Sequence, residues 1–228
     1  MRIDKLLSQL KYGSRSDIKK MISRGLILVN EKAITDSSFQ VDPTVEKIVV
    51  NQEVLFYKDS IHLAIYKPSG YLSAHHDAMH PCVIDLIKEP YNRFDYAMAG
   101  RLDIDTEGLM ILTTDGQFAH QLMHPKYHLT KTYEATLDKS FTHDQELLAG
   151  VTILDGKNEP FTARALTLIF NKNHVTLEID EGKFHQVKRM FKAVGYEVVH
   201  LKRTKIGILA LHDFEPGCYR EVRKEDIL

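Results

Sequence analysis

The densest cluster of reactive side chains in this sequence is Gly100-Arg101-Leu102-Asp103-Ile104-Asp105-Thr106-Glu107-Gly108-Leu109. Carboxylates at alternate positions, beside an arginine and between glycines, suit several chemistries. Asp103-x-Asp105-x-Glu107-Gly108 imitates the first half of a calcium-binding helix–loop–helix, but that loop needs a bidentate glutamate at position 12. Thr114 stands at that place, which argues against calcium. An aspartate followed two residues later by a second one also suggests a phosphoaspartate nucleophile. That chemistry wants a buried hydrophobic strand before the pair and Thr or Val four residues after the first Asp. Met98-Ala99-Gly100-Arg101 and Glu107 occupy those places. A single carboxylate, finally, can act as nucleophile or as general base.

The remaining reactive side chains narrow the field. His75, His76, Asp77 and His80 imitate a metal cluster, yet no Cys or Glu at ligand spacing completes it, and an exposed loop is the simpler reading. No metal site is expected. The two cysteines, Cys82 and Cys218, stand far apart and are expected to be reduced thiols of a cytosolic protein. Neither Ser nor Cys sits in a nucleophile elbow, and no glycine-rich loop ends in Lys-Ser or Lys-Thr.

Four motifs occur in one order along the chain. They are Lys67-Pro68-x-Gly70, then Gly100-Arg101-Leu102-Asp103-x-x-Thr106-x-Gly108-Leu109, then Lys131-Thr132-Tyr133, then Glu181-Gly182-Lys183-Phe184-His185-Gln186-Val187-Lys188-Arg189-Met190. Together they resemble the pseudouridine synthases, and the second matches that family's catalytic motif at every fixed position. The Lys67-to-Tyr71 turn and the His80-Pro81-x-Val83 stretch look most like the branch acting on 16S ribosomal RNA; a sister enzyme for large-subunit RNA is the alternative. A catalytically silent RNA-binding or assembly protein is a rival from another class, but it would not need Asp103, Tyr133 and Lys188 together.

The resemblance implies an isomerisation that breaks the N1–C1′ bond of uridine, turns the uracil and rejoins it through C5. No redox change occurs and no atoms are lost, so no cofactor is expected. Asp103 is implied as the indispensable carboxylate, as nucleophile or as base, and Asp105 is read as a solvated or loop-capping residue. Tyr133 would offer a stacking face and a phenol near C5. Lys188 is the cation expected to pair with Asp103. Arg101 is expected to support the site, and Ile206, beside Gly207, to cover the other face of the uracil. Lys183, Arg189, Arg203 and Lys205 would contact phosphates.

These residues must be carried by elements that the pattern partly reveals. Ile3, Leu6, Leu7 and Leu10 share one helical face; Gly13 can close that helix, and Ser14 or Ser16 can cap the next. Ile18, Met21 and Ile22 form the second helix's buried stripe, leaving Arg15, Lys19 and Lys20 outward before Gly25 ends it. Leu26 to Val29 and Lys47 to Val50 read as strands. Residues 1–59 resemble an alpha-L (S4-like) RNA-binding domain through Arg2-x-Asp4-Lys5-Leu6-Leu7, Ser14-Arg15-Ser16 and Ile22-x-x-Gly25-x-Ile27-x-Val29-Asn30.

Residues 60–228 are expected to form an α+β catalytic domain on a mixed, mainly antiparallel sheet, since strands and helices intersperse without a βαβ repeat. Strands are expected at His62 to Tyr66, Thr132 to Leu137, Ala163 to Phe170, His174 to Ile179 and Glu197 to Arg203. Helices are expected over about Glu107 to Leu112, Phe118 to Met123 and His185 to Val194.

The 228 residues carry a formal net charge of −1, which alone would argue against a polyanionic partner. The charge is segregated, however, and a phosphate backbone responds to local patches. Arg2, Lys5, Lys11, Arg15, Lys19, Lys20 and Arg24 crowd the first segment, opposed by Asp4 and Asp17 alone. The expected partner is ribosomal RNA or an assembling ribosomal particle, met by a cytoplasmic monomer. No apolar run approaches the roughly 18–20 residues that span a bilayer.

Overall fold

A computed structural model describes residues 1–212 and 214–228, which fall into two compact units. The first comprises Met1–Ile61 together with Ile87–Asp95. Helix α1 (Ile3–Gln9) buries Ile3, Leu6 and Leu7 against Ile18 and Ile22 of α2 (Arg15–Ser23). Ser14, not Ser16, caps α2: its hydroxyl accepts from Asp17 N at 3.2 Å while Asp17 Oδ2 accepts from Ser14 N at 3.1 Å. A four-stranded sheet of β1 (Ile27–Val29), β2 (Lys32–Ala33), β3 (Ile48–Val50) and β4 (Glu53–Val54) completes the core in the order β2-β1-β3-β4.

A boundary at residue 59 or 60 leaves out the returning segment 87–95. Phe56 meets Tyr91 and Phe94 edge-on at 5.2 and 5.9 Å, and the Arg93 guanidinium lies over the Tyr12 ring at 4.1 Å. Lys11 pairs with Asp95 at 2.9 Å.

The second unit, His62–Leu86 with Tyr96–Leu228, is built on a nine-stranded sheet. Its strands are β5 (His62–Lys67), β6 (Ala97–Ala99), β7 (Glu107–Thr113), β8 (Lys131–Leu137), β11 (Thr167–Asn171), β12 (His174–Ile179), β13 (Val198–Ile206), β14 (Leu209–Ala210) and β15 (Tyr219–Glu221). The order is β11-β12-β8-β13-β7-β5-β15, with β6 on β7 and β14 on β13. Every strand pairing described in this sheet is antiparallel except β13 with β7. The fold is therefore α+β on a mixed, mainly antiparallel sheet. Helices α3 (Gly116–Met123), α4 (Asp144–Ala149) and α5 (Gln186–Ala193) accompany it, as does a separate hairpin of β9 (Val151–Leu154) and β10 (Pro160–Ala163). No helix among the described residues is long and apolar enough to cross a membrane.

Two sequence expectations need correction. Glu107 to Leu112 forms strand β7, not a helix. Leu109, Met110, Ile111 and Leu112 are all fully buried: Leu109 and Ile111 pack in the cluster with Phe118 and Leu122, and Met110 and Leu112 on the opposite face are covered as well, so both faces read as apolar and the two-residue period vanishes. Ala163 to Phe170 is not one strand. Ala163 pairs with Val151 in the hairpin, whereas Thr167 pairs with Glu178 in the large sheet. Between them Ala165 N donates to Leu147 O at 2.9 Å, turning the chain from one sheet to the other.

Candidate active site

Asp103 sits on the loop entering β7, and that loop is clamped from both sides. On one side Ser73 Oγ donates to Leu102 O at 2.7 Å and accepts from Leu102 N at 3.0 Å. On the other, Gly70 N donates to Ile104 O at 2.7 Å, and Ser69 Oγ to Asp105 O at 3.3 Å. The Thr106 N–H closes the turn onto Asp103 O at 3.1 Å.

Lys67, read in the sequence only as the start of a turn, holds this clamp together. It is fully buried at the end of β5, and its ammonium donates to Pro68 O at 2.9 Å, Tyr71 O at 2.8 Å and Ile104 O at 3.4 Å. Burial pushes its pKa down to about 8, although Asp105, Asp103 and Glu107 pull the other way. The Lys-Pro-x-Gly motif and the aspartate motif are thus two halves of one piece of backbone.

Helix α5 supplies a charged partner of Asp103. Its buried face is Gln186, Val187, Met190 and Phe191, which leaves Lys188 in the first turn free to reach the loop. Lys188 Nζ lies 3.2 Å from Asp103 Oδ2 and 2.6 Å from Asp105 Oδ1. Partial burial works against ionisation of Asp105, but the bond and charge of Lys188 outweigh it and hold its pKa below the ordinary value. Asp105 is therefore a rival for the same ammonium rather than a merely solvated neighbour.

A residue that the sequence reading passed over is His185. It precedes α5 in a left-handed conformation (φ 51°), its ring stacked on Phe184 with centroids 3.8 Å apart. That bend brings His185 Nε2 to 3.2 Å from Asp103 Oδ1. Its place between Phe184 and Gln186 in the fourth motif was the available signal.

Tyr133 lies on β8, 7% exposed, directly opposite Arg203 of β13. Arg203 is not on the surface, as a phosphate contact would require: it is 3% exposed. Its Nε donates to Leu109 O at 2.8 Å and its Nη1 to Tyr133 Oη at 3.4 Å. The strand alternation that sends Lys202 outward turns Arg203 into the sheet's interior.

Gly108 makes this arrangement possible. The β7 and β13 backbones approach so closely that a Cβ at Gly108 would lie 2.2 Å from Arg203 O and 2.6 Å from Arg203 N. Its φ of +118° also disfavours any L side chain.

The other expected residues are placed as follows. Arg101 is exposed beside the loop. Ile206 is 3% exposed and belongs to the core cluster with Leu109, Phe118 and Ile227, so its side chain is spent on packing. Lys183 is exposed, its ammonium 3.8 Å from the Phe161 ring centroid. Arg189 is tied to the β9 end: its Nη1 donates to Leu154 O and Asp155 O, and its guanidinium lies over Phe184 at 4.9 Å. Lys205 is half-buried in β13.

In the first unit Arg2, Lys5, Arg15, Lys19, Lys20 and Arg24 are all exposed. Arg2 is engaged by Asp4 through bonds of 3.0 and 2.8 Å, and Lys20 lies 3.6 Å from Asp17. The loop histidines do not converge: His75 Nε2 meets Tyr96 O at 2.6 Å, while His80 turns back to Asp77 at 3.3 Å. Cys82 is buried and Cys218 exposed, both unpaired.

A carboxylate flanked by a lysine and a histidine, with a buried phenol on the same sheet, is equipped to act on a base or sugar. Comparison with known proteins agrees. Residues 61–193 match the model of the RNA pseudouridylate synthase family, and residues 1–46 match the S4 domain. The chain is 42% identical to an uncharacterized RNA pseudouridine synthase of Bacillus subtilis, covering 100% of this chain and 97% of that protein. It is 36% and 34% identical to proteins named ribosomal small subunit pseudouridine synthase A in Pasteurella multocida and Escherichia coli K12, covering 100% of this chain and 98% of each. A crystal structure of a pseudouridylate synthase superposes with a TM-score of 0.67 at 34% identity, over 100% of this chain and 98% of that one. The clamped aspartate loop, its lysine partner and these full-length likenesses agree, and the chain belongs to the RNA pseudouridylate synthase family.

Proposed function

We propose that this enzyme converts a uridine of small-subunit (16S) ribosomal RNA to pseudouridine, with Asp103 as its catalytic carboxylate. The observation that carries the residue assignment is the placement of Asp103 between Lys188 and His185, each 3.2 Å away, on a loop held by Lys67 and Ser73. The assignment to small-subunit RNA rests on the relatives that bear that name and match this chain along its whole length.

In this reading the target base leaves its stack to reach the site, which costs a few kcal/mol if it is paired. The N1–C1′ bond breaks with its electron pair leaving on uracil. Asp103 meets the deficit at the sugar, as nucleophile at C1′ or as base toward a sugar proton. After the uracil turns, C5 bonds to C1′ as Asp103 leaves C1′ or returns the sugar proton it took; the C5 proton then departs and N1 takes one up, so the atoms balance. Tyr133 supplies an aromatic face and a phenol near C5. The exposed cations of the first unit hold phosphates and position the RNA without entering the bond changes. The enzyme acts as a cytoplasmic monomer on ribosomal RNA or on an assembling particle.

The test is incubation with transcripts of both ribosomal subunits, followed by carbodiimide treatment and primer extension to map new pseudouridines. One strong stop on small-subunit RNA is expected. A stop confined to large-subunit RNA assigns the chain to the sister activity, and no stop on either RNA or its particle overturns the reading.

A further inference from the structure

Two buried side-chain polar atoms lack a hydrogen-bond partner among the described residues, Thr106 Oγ1 and Arg203 Nη2. Both belong to the site. Thr106 closes the Asp103 turn, and Arg203 crosses behind it, its Nη1 3.7 Å from where a Cβ of Gly100 would stand. Native structures satisfy nearly all such atoms, so an orphan at a reaction centre is a group left for a ligand or a water to satisfy.

The case is stronger for Arg203, because a charge is at stake. Its two bonds go to uncharged oxygens, Leu109 O and Tyr133 Oη, and the third nitrogen is idle at 3% residue exposure. A buried guanidinium without an anion is costly. Its neighbours register that field: Lys131 is pushed down to about 8, first by burial and then by repulsion from Arg203. The fold has placed an uncompensated cation beside the aromatic ring on which the uracil is read to stack.

The reaction generates the matching anion. When the N1–C1′ bond breaks, its electron pair departs on the uracil, and the charge spreads from N1 onto the carbonyl oxygens O2 and O4. We propose that Arg203 is a uracil-contacting residue whose Nη2 donates to one of these oxygens, strengthening as charge develops there, while Nη1 fixes the Tyr133 hydroxyl. Such a fixed donor, aimed where charge appears, lowers the barrier without reorganising. The proposal rests on the pseudouridine-forming reading of the site.

The test uses the full chain, a short substrate RNA labelled with tritium at C5 of the target base, and single-turnover tritium release. The target is uridine, 2-thiouridine or 4-thiouridine, since sulfur is a poor acceptor. With wild-type enzyme, one of the two thio substitutions slows release by about 10-fold, the loss of one hydrogen bond of about 1.4 kcal/mol. Arg203→Lys keeps the charge but not the fork; it slows uridine turnover by about 100-fold, within the range for removing one oxyanion donor, with RNA affinity within about threefold. In that variant the penalty for the sensitive thio position disappears. Wild-type turnover of both thio substrates at the uridine rate overturns the proposal, and this arm stands even where Arg203→Lys does not fold. A thio penalty undiminished in folded Arg203→Lys overturns it equally. Absence of tritium release from uridine itself defeats the pseudouridine reading rather than Arg203 alone.

Discussion

Replacing Gly108 with alanine tests whether the close approach of β7 and β13 is what assembles the site. The added Cβ would stand 2.2 Å from Arg203 O, where contacts under 3.0 Å are essentially never seen, so the strands must part by about 0.8 Å. That movement strains the short parallel pairing, Lys202 with Glu107 and Arg203 with Gly108, whose hydrogen bonds contribute roughly 0.5–1.5 kcal/mol each. A φ of +118° adds about 1–3 kcal/mol for an L residue. Together these predict a loss of about 3–5 kcal/mol, or a Tm lower by roughly 6–20 °C for a chain of this size.

Gly70→Ala is the internal control. Gly70 also has positive φ, +87°, but nothing lies within 4 Å of its would-be Cβ, so only the backbone cost applies, about 1–2 kcal/mol. Thermal melting of both variants, with single-turnover rates for each, separates the effects. Gly108→Ala melts well below Gly70→Ala and loses activity even at temperatures where it is folded. Equal melting temperatures, or a Gly108→Ala enzyme of normal rate, would refute the reasoning.

Lys131 titrates at about 8 in the fold against an ordinary 10.5. The unfolded chain therefore binds more protons over that interval, and stability rises as pH increases from about 8, at up to about 1.4 kcal/mol per pH unit for this group. Denaturant midpoints between pH 7.5 and 9.5 should show a shallower rise in Lys131→Met; an unaltered slope contradicts this account of the half-buried lysine. Neutralising Lys19, Lys20 and Arg24 to glutamine leaves the buried Ile18 and Ile22 face of α2 untouched. If all three meet phosphates, the log–log salt slope of RNA binding falls by about 2–3, with KM raised and the saturating rate kept. An unchanged slope means these side chains do not hold RNA.

The two units differ in how openly the sequence announces them. Helices α1, α2, α3 and α5 were legible because each has an apolar stripe at helical spacing or a cap such as Ser14. Strand β7 was not, because burial on both faces erases the alternation by which a strand is recognised. The Asp103 loop, Tyr133 and Lys188 could be singled out since each lies within a contiguous motif.

Residues that act through distant contacts stayed hidden. Lys67 looked like a turn residue, but its ammonium bonds across 37 positions of sequence to Ile104 O. Arg203 looked like one more member of a basic run, until the alternation on β13 placed it inside while Lys202 stayed partly outside. Segment 87–95 joins the first unit through Tyr91, Arg93 and Phe94, contacts that no local pattern encodes.

The central claim, that one carboxylate carries the chemistry, is tested most directly by the single-turnover rate of Asp103→Asn. Asparagine preserves the shape of the side chain and can still contact Lys188, which lies 3.2 Å away. RNA affinity should therefore stay within about tenfold, roughly 1.4 kcal/mol, while pseudouridine formation falls below detection. Asp105→Asn, which removes the competitor 2.6 Å from Lys188, should keep most of the rate. Product from a homogeneous Asp103→Asn preparation, or equal loss in both variants, would contradict the account.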